Sequence, residues 1–115
     1  MNLGALVERS AGSASGPMHG QVERFEGTTH VMVNPLVADP DVPHHYKLCG
    51  AKEQPLVKWP RSVISRYANI TDMHSLRAHR RAWNAMGIRI VSVSARAPDR
   101  FVYHNTPAHL SLIHI

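Results

Sequence analysis

Residues 59–105 read WPRSVISRYANITDMHSLRAHRRAWNAMGIRIVSVSARAPDRFVYHN, and how this stretch is parsed decides the fold expected for the whole chain. It parses as a short helix, a tight turn, a longer basic helix, a glycine stop and a β-hairpin. Pro60 suits the first position of a helix, where no amide is needed. Val63, Ile64 and Tyr67 would form the buried side of that helix. Asn69, Ile70 and Thr71 leave about three residues before the next helix, the spacing of a helix-turn-helix. Thr71 or Asp72 can cap the second helix, and Asp72 adds a negative charge at the positive end of its dipole. Leu76, Trp83 and Met86 recur at near-helical spacing, with His79 between them. Arg77, Arg81 and Asn84 follow an i, i+4, i+7 pattern on a different face, with Arg80 at its edge. Ala78, Ala82 and Ala85 form a third, small-residue face.

Beyond Gly87, where a left-handed residue would stop the helix, the period changes. Ile88, Ile90, Val91 and Val93 suit a strand covered on both faces. Residues 95–99 contain Pro98 and read as a hairpin loop, and residues 100–104 return as a second strand. Two strands alone are marginal in water, so the hairpin must pack against the helices.

Upstream, residues 1–57 read as a loosely structured region. Residues 3–9 could start a helix. SAGSASGP at 10–17 resembles a flexible linker. Residues 28–33 (TTHVMV) read as a strand that Pro35 ends. Residues 36–55 carry Pro40, Pro43, Gly50 and Pro55 and read as irregular loop, with one short extended piece at 46–48. The expected division is therefore 1–57 loosely structured, 58–105 helix-turn-helix plus hairpin, and 106–115 a tail. The terminal LSLIHI resembles a translated sequencing-adapter tail, which would make that tail artefactual and the chain a fragment of a larger protein. Its other reading is an ordinary apolar strand.

The chain of 115 residues can bury one core, made modest by an aromatic content of 6%. The lone Cys49 excludes an internal disulfide and any cysteine-rich zinc module. MNLGALVERS is too short an apolar run for a signal peptide, and no stretch approaches the roughly 18 apolar residues of a membrane span. A cytoplasmic protein with no membrane association is expected. Charge is lopsided: residues 58–104 hold nine Lys/Arg against two Asp/Glu, and residues 1–57 hold four against six. A basic half of this kind suits a polyanion, and equally the solvated face of an ordinary helix.

Catalytic patterns are absent. There is no H-E-x-x-H, nucleophile elbow or phosphate loop, so no enzyme and no cofactor are expected. The carboxylates are scattered. Asp39 and Asp41 lie in the proline-rich loop, and Glu23 and Glu26 could share a helical face. His44, His45 and Cys49 are weak metal candidates, a His-x3-Cys pair with no second pair to complete the site. The helix-turn-helix reading makes the second helix the recognition helix. Arg77, Arg80, Arg81 and Asn84 would face a groove, arginine meeting guanine or phosphate and asparagine meeting adenine. Arg96 and Arg100 on the hairpin would approach a phosphate or the minor groove.

The run SLRAHRRAWNAMGIRIVSV, residues 75–93, resembles the recognition helix and first wing strand of winged-helix transcription regulators of the response-regulator effector type. The resemblance implies a small α+β fold with a winged helix-turn-helix core. It places Arg77, Arg80 and Arg81 near DNA-contacting positions and Gly87 at the helix stop. It also implies DNA binding by a transcription regulator or phage-type accessory protein, with RNA as a further polyanionic partner. Where that family carries a glycine-rich wing tip, this chain has Ala95-Arg96-Ala97-Pro98-Asp99. The alternative function is that of a small structural or interaction protein that binds no nucleic acid.

Overall fold

The computed structural model describes residues 1–12, 16–38, 46–48, 55–72, 75–97 and 100–107. Sheet dominates. Among the described residues, eight strands and one α-helix follow in the order β1 (Leu6–Arg9), β2 (His19–Glu26), β3 (His30–Ala38), β4 (Tyr46–Leu48), β5 (Val57–Pro60), β6 (Ile64–Ala68), α1 (Leu76–Ala85), β7 (Ile88–Ala97) and β8 (Arg100–Pro107). All the pairings are antiparallel, in the order β6-β1-β2-β3-β4-β8-β7, with β5 also on β3.

The winged helix-turn-helix expectation is therefore wrong. Its first helix does not exist. Pro60 precedes a single 3-10 turn, Arg61–Val63, and the chain then runs straight into β6 against β1. The apolar trio that suggested a helix divides differently. Val63 and Ile64 pack inward, while Tyr67 is 52% exposed. β-Branched residues fit a paired strand better than a helix, and the partner strand β1 lies more than fifty residues away.

The described residues of the N-terminal region include four paired strands, β1 to β4. Residues 3–9 contribute β1, not a helix, because both faces of that segment are wanted. Ala5, Leu6 and Val7 are all fully buried. The strand expected at 28–33 is β3, which runs on through Pro35. Pro35 sits where the far edge of β3 passes from β5, paired as far as Val33, to β4, paired from Leu36. A missing N–H costs no ladder bond at such a gap. The short extended piece at 46–48 and the hairpin after Gly87 are present as β4 and as β7 with β8.

Five strands, β6-β1-β2-β3-β5, roll up. Laid flat, their outer edges would lie about 19 Å apart, at four spacings of about 4.8 Å. Yet those edges are joined by the three residues of the 3-10 turn, which span only about 6 Å. Inside the roll lie Ala5, Val7, Val22, Val31, Val33 and Trp59. The outer side of β1 carries Leu6, which joins Leu36, Leu48, Ile70, Trp83, Met86 and Ile88 in a second core beneath α1. β1 is thus the shared wall of two cores, and α1 is held on the outside of the roll.

Candidate nucleic-acid interface

α1 is the one expected element on which the site residues depend, and it forms close to its expected bounds. The N-cap is Ser75, whose hydroxyl accepts from the Ala78 amide at 3.4 Å. Thr71 and Asp72, the caps expected from the sequence, lie one turn too early, and the Asp72 carbonyl instead accepts from the Ser75 amide. Gly87 at φ +82 ends the helix, with its amide donating to Asn84.

The inward face is built around Trp83 and His79, both fully buried. Both ring nitrogens of His79 meet a polar partner. Its Nδ1 lies 2.8 Å from the Ser75 carbonyl and its Nε2 lies 3.3 Å from the Gln21 amide nitrogen. Gln21 also donates to the Gly4 carbonyl. This arrangement assigns the proton to Nδ1 and leaves Nε2 as acceptor, the neutral tautomer. The His79 seen in the sequence between apolar residues is therefore a satisfied core residue, not a ligand.

The C-terminal end of α1 is tied to the sheet by Arg66 of β6. Its guanidinium donates to the carbonyls of Ala85 at 3.1 Å and Met86 at 2.8 Å, where the helix dipole is negative. The same group grips both oxygens of Glu8, at 2.9 and 2.8 Å. His19 Nε2 lies 2.9 Å from the same carboxylate and sets its ring edge-on to Trp83, centroids 5.9 Å apart. The Arg66 hydrogen bonds lead in holding the Glu8 carboxyl down at about 2, helped by His19 and opposed by burial. Glu8 in turn raises the Arg66 guanidinium. Sequence reasoning missed this cluster, since Glu8, His19 and Arg66 are far apart in the chain and meet only through strand pairing.

The outward face carries the expected basic residues. Arg77, Arg80, Arg81 and Asn84 are all exposed. At about 100° per residue they fall within an arc of about 100°, opposite the buried residues His79, Ala82, Trp83 and Met86. Arg77, Arg80 and Arg81 meet no carboxylate among the described residues. The helix has no acidic residue in its first turn and no basic residue in its last. Only Arg77 lies in the first turn, at the positive end of the dipole, where a cation is unfavourable.

Other expected site residues separate from this face. Arg96 lies on β7 and Arg100 on β8, with Arg100 opposite Ala97 at the hairpin end. That hairpin is not a free wing, because β8 pairs with β4 inside the sheet. His44, His45, Cys49, Asp39, Asp41 and Pro98 lie outside the described residues. Glu23 and Glu26 share a strand rather than a helix, and Glu26 pairs with Arg24. No trio of metal-ligating side chains gathers among the described residues, and no helix among them is long and apolar enough to cross a membrane.

Comparison with known proteins adds nothing to this geometry. No protein family, curated protein or solved structure matches the chain. The winged-helix resemblance of residues 75–93 thus stands on those residues alone, and the sheet built around them is of a different kind.

Proposed function

We propose that the protein binds nucleic acid through the outer face of α1, with Arg77, Arg80 and Arg81 contacting backbone phosphates and Asn84 at their margin. One contrast carries this reading. Four arginines are taken up within the chain: Arg9 by loop carbonyls, Arg24 by Glu26, Arg61 by the Phe25 ring and Arg66 by Glu8 and the end of α1. The three on α1 are exposed and carry no ion pair among the described residues.

Binding by one exposed helix face, without a supporting second helix, favours phosphate contact over reading of bases, so it is tolerant of sequence. The lone Cys49 and a polyanionic partner fit a cytoplasmic setting. The test is fluorescence anisotropy with labelled duplex and single-stranded oligonucleotides over a salt series. Three phosphate contacts give a slope of log K against log salt of about −2.7 for duplex and about −2 for single strands. Replacing Arg77, Arg80 and Arg81 by alanine together should abolish binding and leave the melting temperature nearly unchanged. Binding that survives the triple substitution overturns the reading. No binding at low salt, with a protein partner that co-purifies, favours a small interaction protein instead.

A further inference from the structure

α1 sends its basic side chains in two directions. At about 100° per residue, Arg80 and Arg81 project about 100° apart around the helix axis, and Arg77 lies between them. All three are exposed, and the helix sequence LRAHRRAWNA holds no carboxylate. An extended arginine places its guanidinium about 8 Å from the helix axis. The Arg80 and Arg81 guanidinium groups can therefore stand about 12 Å apart, one on each side of the helix crest. Arg77 falls nearer Arg81, about 8 Å away and one turn toward the N-terminus.

The shape of this face excludes deep insertion into a groove. The exposed positions of α1, from Arg80 round to Ala85, cover an arc of about 140°, while Ala82, Trp83 and Met86 are sunk in the second core. A cylinder of about 5 Å radius exposed over that arc rises only about 3 Å above its flanks. The major groove of B-DNA is about 8.5 Å deep, so the body of the protein meets the phosphate rims before α1 reaches the floor. Base stacking is not available here either. Single-strand sites combine a concave channel with aromatic platforms, and this face is convex. Trp83 is fully buried. The exposed aromatic among the described side chains, Tyr67, stands opposite Val7 on the inner side of the roll, whereas α1 is held outside.

A pair of phosphate rims matches the two directions of the arginines. Phosphorus atoms facing each other across the minor groove of B-DNA are about 12 Å apart, its open width of about 6 Å together with the phosphate groups; across the major groove the separation is about 18 Å. The Arg80–Arg81 span fits the first and falls short of the second. We infer that α1 binds double-stranded DNA by lying along a minor groove, with Arg80 on the phosphates of one strand and Arg77 and Arg81 on those of the other. This rests on the reading of α1 as a nucleic-acid-binding face and adds to it the strandedness and the groove. A narrow minor groove concentrates negative potential, so A·T-rich duplexes are the favoured substrates.

The experiment is fluorescence anisotropy with the full chain at low salt. The probes are a labelled A·T-rich DNA duplex, its separate single strands and an RNA duplex of equivalent sequence. The DNA duplex should bind about tenfold tighter than the other two. Arg80→Ala should leave the melting temperature unchanged, weaken the duplex about tenfold and reduce its salt slope by about 0.9, bringing duplex and single strand close together. A polyamide that fills the minor groove should displace the protein from the duplex. A single strand or RNA duplex bound as tightly as the DNA duplex overturns the inference and leaves nucleic-acid binding by α1 standing. So does a duplex preference that survives Arg80→Ala, or binding indifferent to the polyamide. No binding by the parent chain, or binding untouched by replacing all three arginines, removes the underlying reading and this inference with it.

Discussion

Replacing Glu8 by glutamine removes the charge that joins β1, β6, β2 and the end of α1. In the native protein the Glu8 carboxyl is lowered from 4.5 to about 2, chiefly by the Arg66 hydrogen bonds. A shift of that size corresponds to about 3 kcal/mol at about 1.36 kcal/mol per pH unit. Glu8 itself is only 18% exposed, but Arg66 is 50% exposed, so solvent screening reduces the figure to ~1.5 kcal/mol. Because the folded-state value is depressed, the stabilisation is fully present above pH 4.5 and is lost as pH falls toward about 2. For a chain of this length ~1.5 kcal/mol corresponds to a fall in melting temperature of ~6 °C. Melting followed by circular dichroism from pH 7 to pH 2 gives the readout. Glu8→Gln should melt lower than the parent at pH 7, and the gap should narrow below about pH 4.5 and close only near pH 2. Equal melting temperatures at pH 7, or a gap that stays constant into acid, would refute the reasoning.

Two further substitutions probe the same architecture. A Cβ added at Gly20 would fall on the Val33 side chain and the Asn34 backbone, so Gly20→Ala should cost ~1–3 kcal/mol in urea unfolding. A free-energy change near zero would mean that β2 and β3 are not so closely set. Ser75→Ala should cost ~1 kcal/mol by removing the helix cap, whereas Thr71→Ala should change stability little. The reverse order would restore the cap to the position expected from sequence.

The part of this protein legible in its sequence is local. Ser75 to Gly87 contains its own instructions: a capping hydroxyl, a 3.6-residue apolar period ending in Trp83 and Met86, and a glycine able to take φ +82. The i, i+4 spacing of Arg77 and Arg81 fixes their shared face whatever the helix packs on. The hairpin from Ile88 is local too, because β7 pairs with a strand that begins only three residues after it ends.

What the helix rests on was decided by tertiary structure. Residues 60–67 have apolar positions compatible with a helix, and only β1, more than fifty residues upstream, makes a strand of the part from Ile64 on by offering a ladder to pair with. Residues 5–7 show no amphipathic period because both faces are buried, one in each core, so a central strand looks like an unpatterned segment. The Glu8–Arg66–His19 cluster likewise arises only from strand register. Hydrogen-bond pairing between distant strands is a two-body property, and a single stretch read alone carries just one of the two bodies.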